Sequence, residues 1–236
     1  YQHNTRNWTA WAWHRSLQPE FRADLGFVSR VGTRGGEVGG QRVFWGKPGQ
    51  FLTRTRIGAE VTRLENHAGE LTDQSADVFA RLEGPYQSWL NVRATSFKEA
   101  FRETTYSGTR ADLFFNIRPS GNFTTSLMGR FGDAVDYANG RAGRTTRLQP
   151  GVTLNVGRHL YLQADHLSEK MQVDEGELYT ANLAQARVVY QFTANTFARV
   201  VVQYLDLHRN PRLYHDEVNA RSTHLLTQFL VSYKLN

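Results

Sequence analysis

The sequence predicts an all-β protein, an antiparallel up-and-down transmembrane β-barrel with about twelve strands in this chain. Three observations predict it: turn signals at a near-constant spacing, strict apolar–polar alternation between them, and aromatic rings at the ends of the apolar faces.

The turn signals are Lys47-Pro48-Gly49-Gln50, Glu83-Gly84-Pro85-Tyr86, Arg118-Pro119-Ser120-Gly121-Asn122, Val156-Gly157-Arg158 and Thr193-Ala194-Asn195. They recur about every 36 residues, which is two strands plus one further connection, so the repeating unit is a hairpin. Between them lie polar stretches at 65–74, 98–108, 136–144, 168–177 and 208–220, expected to be the longer loops at the opposite end of the barrel.

Alternation is clearest at 147–156, where Leu148, Pro150, Val152, Leu154 and Val156 oppose Arg147, Gln149, Gly151, Thr153 and Asn155. Ala111, Leu113, Phe115 and Ile117 oppose Arg110, Asp112, Asn116 and Arg118, with Phe114 the one apolar residue on the polar side. Ala184, Ala186, Val188, Tyr190 and Phe192 face away from Gln185, Arg187, Val189 and Gln191, and Leu225, Phe229, Val231, Tyr233 and Leu235 away from His224, Gln228, Ser232 and Lys234. Period two held this long is not helical. The strands expected in order are 7–14, 40–45, 51–63, 76–83, 87–97, 109–118, 122–135, 145–156, 159–167, 178–192, 197–207 and 222–236.

A soluble β-sandwich also alternates, but its strands are usually about 5–6 residues long. The segments 51–63, 122–133 and 178–192 are longer, and Phe51, Phe123, Phe131, Tyr190, Phe192 and Tyr233 stand where a membrane interface selects aromatic rings.

Composition agrees with a folded chain and narrows its chemistry. The 236 residues are 40% hydrophobic and 21% charged, too apolar for general disorder. No segment approaches the roughly 18 apolar residues of a membrane helix, while a barrel strand needs only about 9–11 of alternating character. The absence of cysteine removes disulfides, thiolate nucleophiles and cysteine-based zinc sites, and suits an oxidising compartment. The N-terminal Tyr1-Gln2-His3-Asn4 carries no export signal of its own, and the reading is of one barrel domain spanning 1–236, a piece of a longer chain.

Lysine and arginine number 28 against 22 acids, a net charge of +6 and a pI near 9.7. With the apolar face toward lipid, the lumen receives Arg54, Arg56, Arg81, Arg93, Arg110, Arg118, Arg130, Arg147, Arg187, Arg199 and Lys234, against Glu60, Asp77, Glu83, Asp112 and Asp165. Arginines along a low-dielectric wall concentrate anionic solutes. The same arginines can instead pair with the acids and strand carbonyls as a packing network. Nucleic acid is not an expected partner, because the bases are spread one or two per strand without clustered stacking aromatics.

His208, His215 and Asp216, with Asp206 just before them, are the groups a barrel-rim hydrolase could use. No Gly-x-Ser-x-Gly or His-Glu-x-x-His pattern accompanies them, so no catalytic residue is assigned. Asp174, Glu175 and Glu177 lack the EF-hand spacing, and neither metal nor cofactor is expected.

The longest non-repeating piece, 15–40, contains Pro19-Glu20-Phe21-Arg22-Ala23-Asp24-Leu25-Gly26-Phe27-Val28-Ser29-Arg30-Val31-Gly32. This resembles the Phe-Arg-Ala-Asp-x-Gly-Phe-Val-x-Arg segment of a bacterial family in which a carbohydrate-binding-module family 9-like domain precedes a large C-terminal membrane-barrel domain of unknown function. The ending Gln228-Phe229-Leu230-Val231-Ser232-Tyr233-Lys234-Leu235-Asn236 is similar to that family's penultimate barrel region. The resemblance implies a bacterial outer-membrane location. It carries no sugar binding, since this chain has no room for the module, and the family offers no catalytic residues to transfer.

The segment 15–40 is expected to be a long loop folded into or against the barrel, with Phe21, Arg22, Asp24, Phe27 and Arg30 forming a constriction. The expected function is a channel or solute-passage protein with a basic, anion-preferring lumen. The alternative is a closed barrel that anchors or displays a binding module or partner-contact loops, and the third reading is the rim hydrolase. The expected partners are the lipid bilayer, lipopolysaccharide and further chains of an outer-membrane complex.

Overall fold

The computed structural model describes residues 1–21 and 31–234. Thirteen strands follow one another: β1 (Gln2–Asn4), β2 (Trp8–Leu17), β3 (Thr33–Trp45), β4 (Arg54–Asn66), β5 (Leu71–Glu83), β6 (Trp89–Phe101), β7 (Thr104–Ser120), β8 (Phe123–Asp136), β9 (Arg141–Val156), β10 (Leu160–Val173), β11 (Gly176–Thr193), β12 (Thr196–Arg209) and β13 (Arg221–Tyr233). They form a single sheet in sequential order, an antiparallel up-and-down meander. A sandwich would need crossovers that this order lacks. Among the described residues the only helix is the 3-10 turn Pro211–Leu213.

Burial runs opposite to that of an ordinary water-soluble sheet. On β5 the carboxylate residue Asp77 is 7% exposed while its neighbour Val78 is 60% exposed. On β4, Ile57, Ala59 and Val61 are exposed while Arg56, Glu60 and Thr62 are half-buried. The alternation is thus real, with the polar set sheltered and the apolar set bare.

By contact density the chain divides into two compact units, residues 1–83, 91–111 and 132–142, and residues 84–90, 112–131 and 143–236. In the first, β2 to β5 pair from Trp8↔Arg42 through Thr33↔Asn66 to Arg54↔Glu83, with one register shift between Leu64 and Glu65. In the second, β9 to β13 pair in the same antiparallel way, with Leu160 opposite both Val156 and Tyr190 and Thr196 opposite Tyr233, and the register shifts between Met171 and Gln172 and between Gln191 and Thr193. Its apolar interior is small: Met171, Val173 and Leu178, all buried, near the turn between β10 and β11. Phe114, the apolar exception on its polar face, stacks on Trp89 with ring centroids 4.6 Å apart.

Several expectations are corrected. The strand that went unforeseen is β1, three residues that pair with Thr9–Trp11 and are too short to display a period. The segment 15–40 is not one long loop: β2 runs to Leu17 and β3 starts at Thr33, so 15–17 and 33–40 are strand. Gly35, Gly36 and Gly39, inside the expected loop, lie in the ladder opposite Arg15, His14 and Trp11. A Cβ on Gly36 would fall 2.2 Å from the Trp13 carbonyl oxygen, so the close approach of the two backbones requires glycine there.

Of the proposed constriction residues, Arg22, Asp24, Phe27 and Arg30 lie outside the described residues. Phe21 is 44% exposed, its N–H donating 3.1 Å to the Gln18 carbonyl, and Val31 is exposed as well. Nor do short turns alternate with long loops. The connections 102–103 and 174–175, placed within long polar stretches, are tight turns, whereas 46–53 is longer than expected. Backbone pairing continues wherever the N–H and C=O groups face each other, whatever the polarity of the side chains.

Gly36→Ala is expected to cost about 1–3 kcal/mol by forcing apart β2 and β3. Gly40→Ala, whose nearest foreign atom would be the Thr9 carbonyl oxygen at 3.4 Å, is expected to be close to neutral. Denaturant unfolding followed by tryptophan fluorescence checks the difference.

Candidate functional site: the charged face of the sheet

Register decides which side chains meet. In the first unit, β4 and β5 present Arg54 opposite Glu83, Arg56 opposite Arg81, Gly58 opposite Phe79 and Glu60 opposite Asp77. The face is therefore layered along the strands into a basic band, an aromatic band and an acidic band.

In the basic band, one carboxylate serves three guanidiniums. Glu83 Oε2 accepts from Arg54 Nε at 2.8 Å, while Glu83 Oε1 lies 3.2 Å from Arg81 Nε and 3.5 Å from Arg56 Nη2. Arg54 also sits over the Trp45 ring, 5.5 Å from its centroid. In the aromatic band, the rings occupy space that only glycine leaves open: a Cβ on Gly39 would be 2.5 Å from the Trp11 ring, and one on Gly58 2.5 Å from Phe79. Arg93 reaches over Phe79 at 5.0 Å.

In the acidic band, Arg93 donates to Glu60 and lies 3.2 Å from Asp77. Asp77 further accepts from Thr95 Oγ1 at 2.6 Å and Ser75 Oγ at 2.8 Å, so this nearly buried carboxylate is fully served. Glu37, which sequence reasoning did not single out, accepts from Trp11 Nε1 at 2.7 Å and Thr62 Oγ1 at 3.2 Å. Arg110 stacks over Phe97 at 5.2 Å.

In the second unit, Arg130 Nε donates to Asp112 at 2.6 Å. Arg147 faces Glu169 at 3.7 Å, and Glu169 accepts from Tyr179 at 2.6 Å. Asp165 accepts from Gln163 Nε2 at 2.8 Å. Arg118 is exposed at the strand end, where its Nη2 donates 2.8 Å to the Gly121 carbonyl and closes the turn to β8. Lys234 is exposed, with its backbone N–H donating to the Asn195 carbonyl at 2.9 Å. Arg187 and Arg199 are half-buried and make no ion pair among the described residues, and the Arg187 Nε is buried without a hydrogen-bond partner there. They stand opposite Val201 and Val189 respectively on the β11–β12 ladder.

His208 Nε2 lies 3.2 Å from Asp206, but both Asp206 oxygens already accept from Arg221 at 3.0 Å. His215 and Asp216 are exposed in the 210–220 connection. Glu177 is held by Lys170 Nζ and Thr180 Oγ1, each at 2.6 Å, and no metal-holding group of three ligands occurs among the described residues. Comparisons with protein-family models, with curated proteins and with solved structures return no match to this chain.

The turn after β8 is pinned by a separate contact. Tyr137 Oη donates to Glu99 at 2.7 Å and its ring meets Phe101 edge-on at 5.1 Å. Partial burial, then the Glu99 carboxylate, push the phenol up to about 12. The folded state thus holds this proton above the ~10 of an unfolded tyrosine. The stability it contributes is whole below pH ~10 and is lost as pH rises toward about 12. Alkaline spectrophotometric titration is expected to show one late-titrating phenol that Tyr137→Phe removes.

Proposed function

We propose that this chain is the wall of a bacterial outer-membrane β-barrel whose basic polar face lines a lumen and favours the passage of anionic solutes. The single observation that carries this reading is the inverted burial, Asp77 sheltered beside bare Val78, because a face of exposed valine, leucine and aromatic side chains is at home against acyl chains. Strands of 10 to 18 residues from β2 onward are long enough for the roughly 9–11 residues a tilted strand needs to cross. On the apolar side of the second unit, Ala164, Ala184 and Ala186 leave a groove of about 450 Å³ between Pro150, Val152 and Val202, Tyr204, a shape that accepts a lipid tail. The bilayer and lipopolysaccharide are the partners in this reading, with neighbouring chains of an outer-membrane complex. The family proposed is the one whose C-terminal barrel the segment 19–32 resembles.

The anion preference rests on basic groups without a counter-charge. Arg187 and Arg199 meet that condition among the described residues, whereas Arg54, Arg56, Arg81, Arg93, Arg130 and Arg147 all face acids. That pairing favours the second reading, a barrel packed shut by its own ion pairs that anchors or displays other parts.

Planar-bilayer recordings under a salt gradient separate the two. The expected result is conductance with an anion-side reversal potential, reduced by Arg187→Gln with Arg199→Gln while the strand signal in circular dichroism is unchanged. Cation selectivity would overturn the anion preference, and no conductance at all would favour the closed barrel.

A further inference from the structure

We infer that Arg187 and Arg199, together with a row of leucines on the same sheltered face of the second unit, form a binding site for a long-chain alkyl carboxylate. The site rests on the reading of this face as a lumen and names the class of anion that the lumen selects.

The first observation is a pair of cations without a counter-charge. Arg187 and Arg199 are half-buried and make no ion pair among the described residues, and the Arg187 Nε is buried with no acceptor there. A buried donor in that condition is costly until an acceptor reaches it. Arg187 stands opposite Val201 and Arg199 opposite Val189, so the two arginines are diagonal neighbours across β11 and β12, within reach of one shared group. Asp165 is the nearest acid on this face by register, and it is turned elsewhere. It accepts from Gln163, the residue opposite Arg187, and its Oδ1 would lie 2.8 Å from a Cβ on Gly151, so the carboxylate leans toward β9 and away from β11.

The second observation is an apolar strip where the alternation calls for polar residues. Leu167 is opposite Leu183 and Leu183 opposite Leu205, a cross-strand row on the face that carries Asp165, Arg187 and Arg199, and the next row pairs Ala181 with Leu207. All of these are half-buried. A contiguous apolar strip rimmed by polar residues marks a binding surface. At about 3.4 Å per residue the leucine row lies roughly 13 Å along β11 from Arg187, and the Ala181–Leu207 row roughly 20 Å. The row between holds the uncharged Gln185 and Gln203. Two guanidiniums at one end and leucines along the rows beyond fit an extended alkyl chain with an anionic head, and a carboxylate matches the planar guanidinium fork.

The test uses the chain in non-ionic detergent, with dodecanoate carrying a photoreactive diazirine near its methyl end as the probe. Labelling is expected to saturate, to map to the segments around Leu183, Leu205 and Leu207, and to be competed by unlabelled dodecanoate. Arg187→Gln with Arg199→Gln is expected to weaken it about tenfold with the strand signal in circular dichroism unchanged, and Arg187→Lys with Arg199→Lys to recover only part, since an ammonium lacks the fork. Shortening the competitor by two methylenes is expected to weaken it about fivefold, a dependence read on wild type alone that decides the matter if the double variant does not fold. Labelling that ignores both arginines, or equal competition by dodecanol, overturns the carboxylate site. Equal competition by acetate reduces it to a simple anion site and also overturns it. Labels on Ala186, Val202 or Tyr204 overturn it as well, and assign the alkyl chain to the groove on the apolar side. Because labelling measures no passage, anion-selective conductance without saturable labelling defeats this site and leaves the passage reading standing, whereas labelling of a chain that conducts nothing defeats passage and leaves the site.

Discussion

Everything in this sheet depends on neutralising charge on its sheltered face. A half-buried guanidinium or carboxylate is costly unless a partner of opposite sign or a hydrogen-bond donor reaches it. Asp77 is the sharpest case: 7% exposed, it is served by Arg93, Thr95 and Ser75 together. The opposite face bears no such demand, and its valines, leucines and aromatics lie open. A sheet made this way is stable where the medium beyond its apolar face is itself apolar, because the backbone groups are already satisfied by the ladder.

The layered arrangement follows from two unfavourable pairings that a third residue resolves. Arg56 stands opposite Arg81, and Glu60 opposite Asp77. Arg93, supplied by the neighbouring strand, bridges both acids and also covers Phe79. Glu83 plays the corresponding part for the arginines, within reach of all three. Between the two bands, Trp11 and Phe79 lie against Gly39 and Gly58, so that large rings fill a narrow space without displacing the strands.

Much of the sheet was legible because a period of two survives in one dimension: β9 and β11 lie close to where their alternation put them. What misled were residues with two structural uses. Gly35 and Gly36 fell inside an expected loop but allow close backbone approach in a ladder, and the polar residues around 102–103 and 174–175 suit solvent whether they are in a loop or on the projecting end of a strand. The arginines were recognisable as one face, but which of them remained without an acid was not.

By itself the sequence determined strand character, the two chemically distinct faces and the surplus of base, because each of these is carried by residue type and spacing along a single strand. Only the tertiary structure decided which face is sheltered, that Arg56 meets Arg81, that Glu83 is shared by three guanidiniums, and that Arg187 and Arg199 find no acid among the described residues. The physical reason is register: side chains interact across strands at about 4.5–5.5 Å, and a slip of a single residue would turn every one of these groups to the other face.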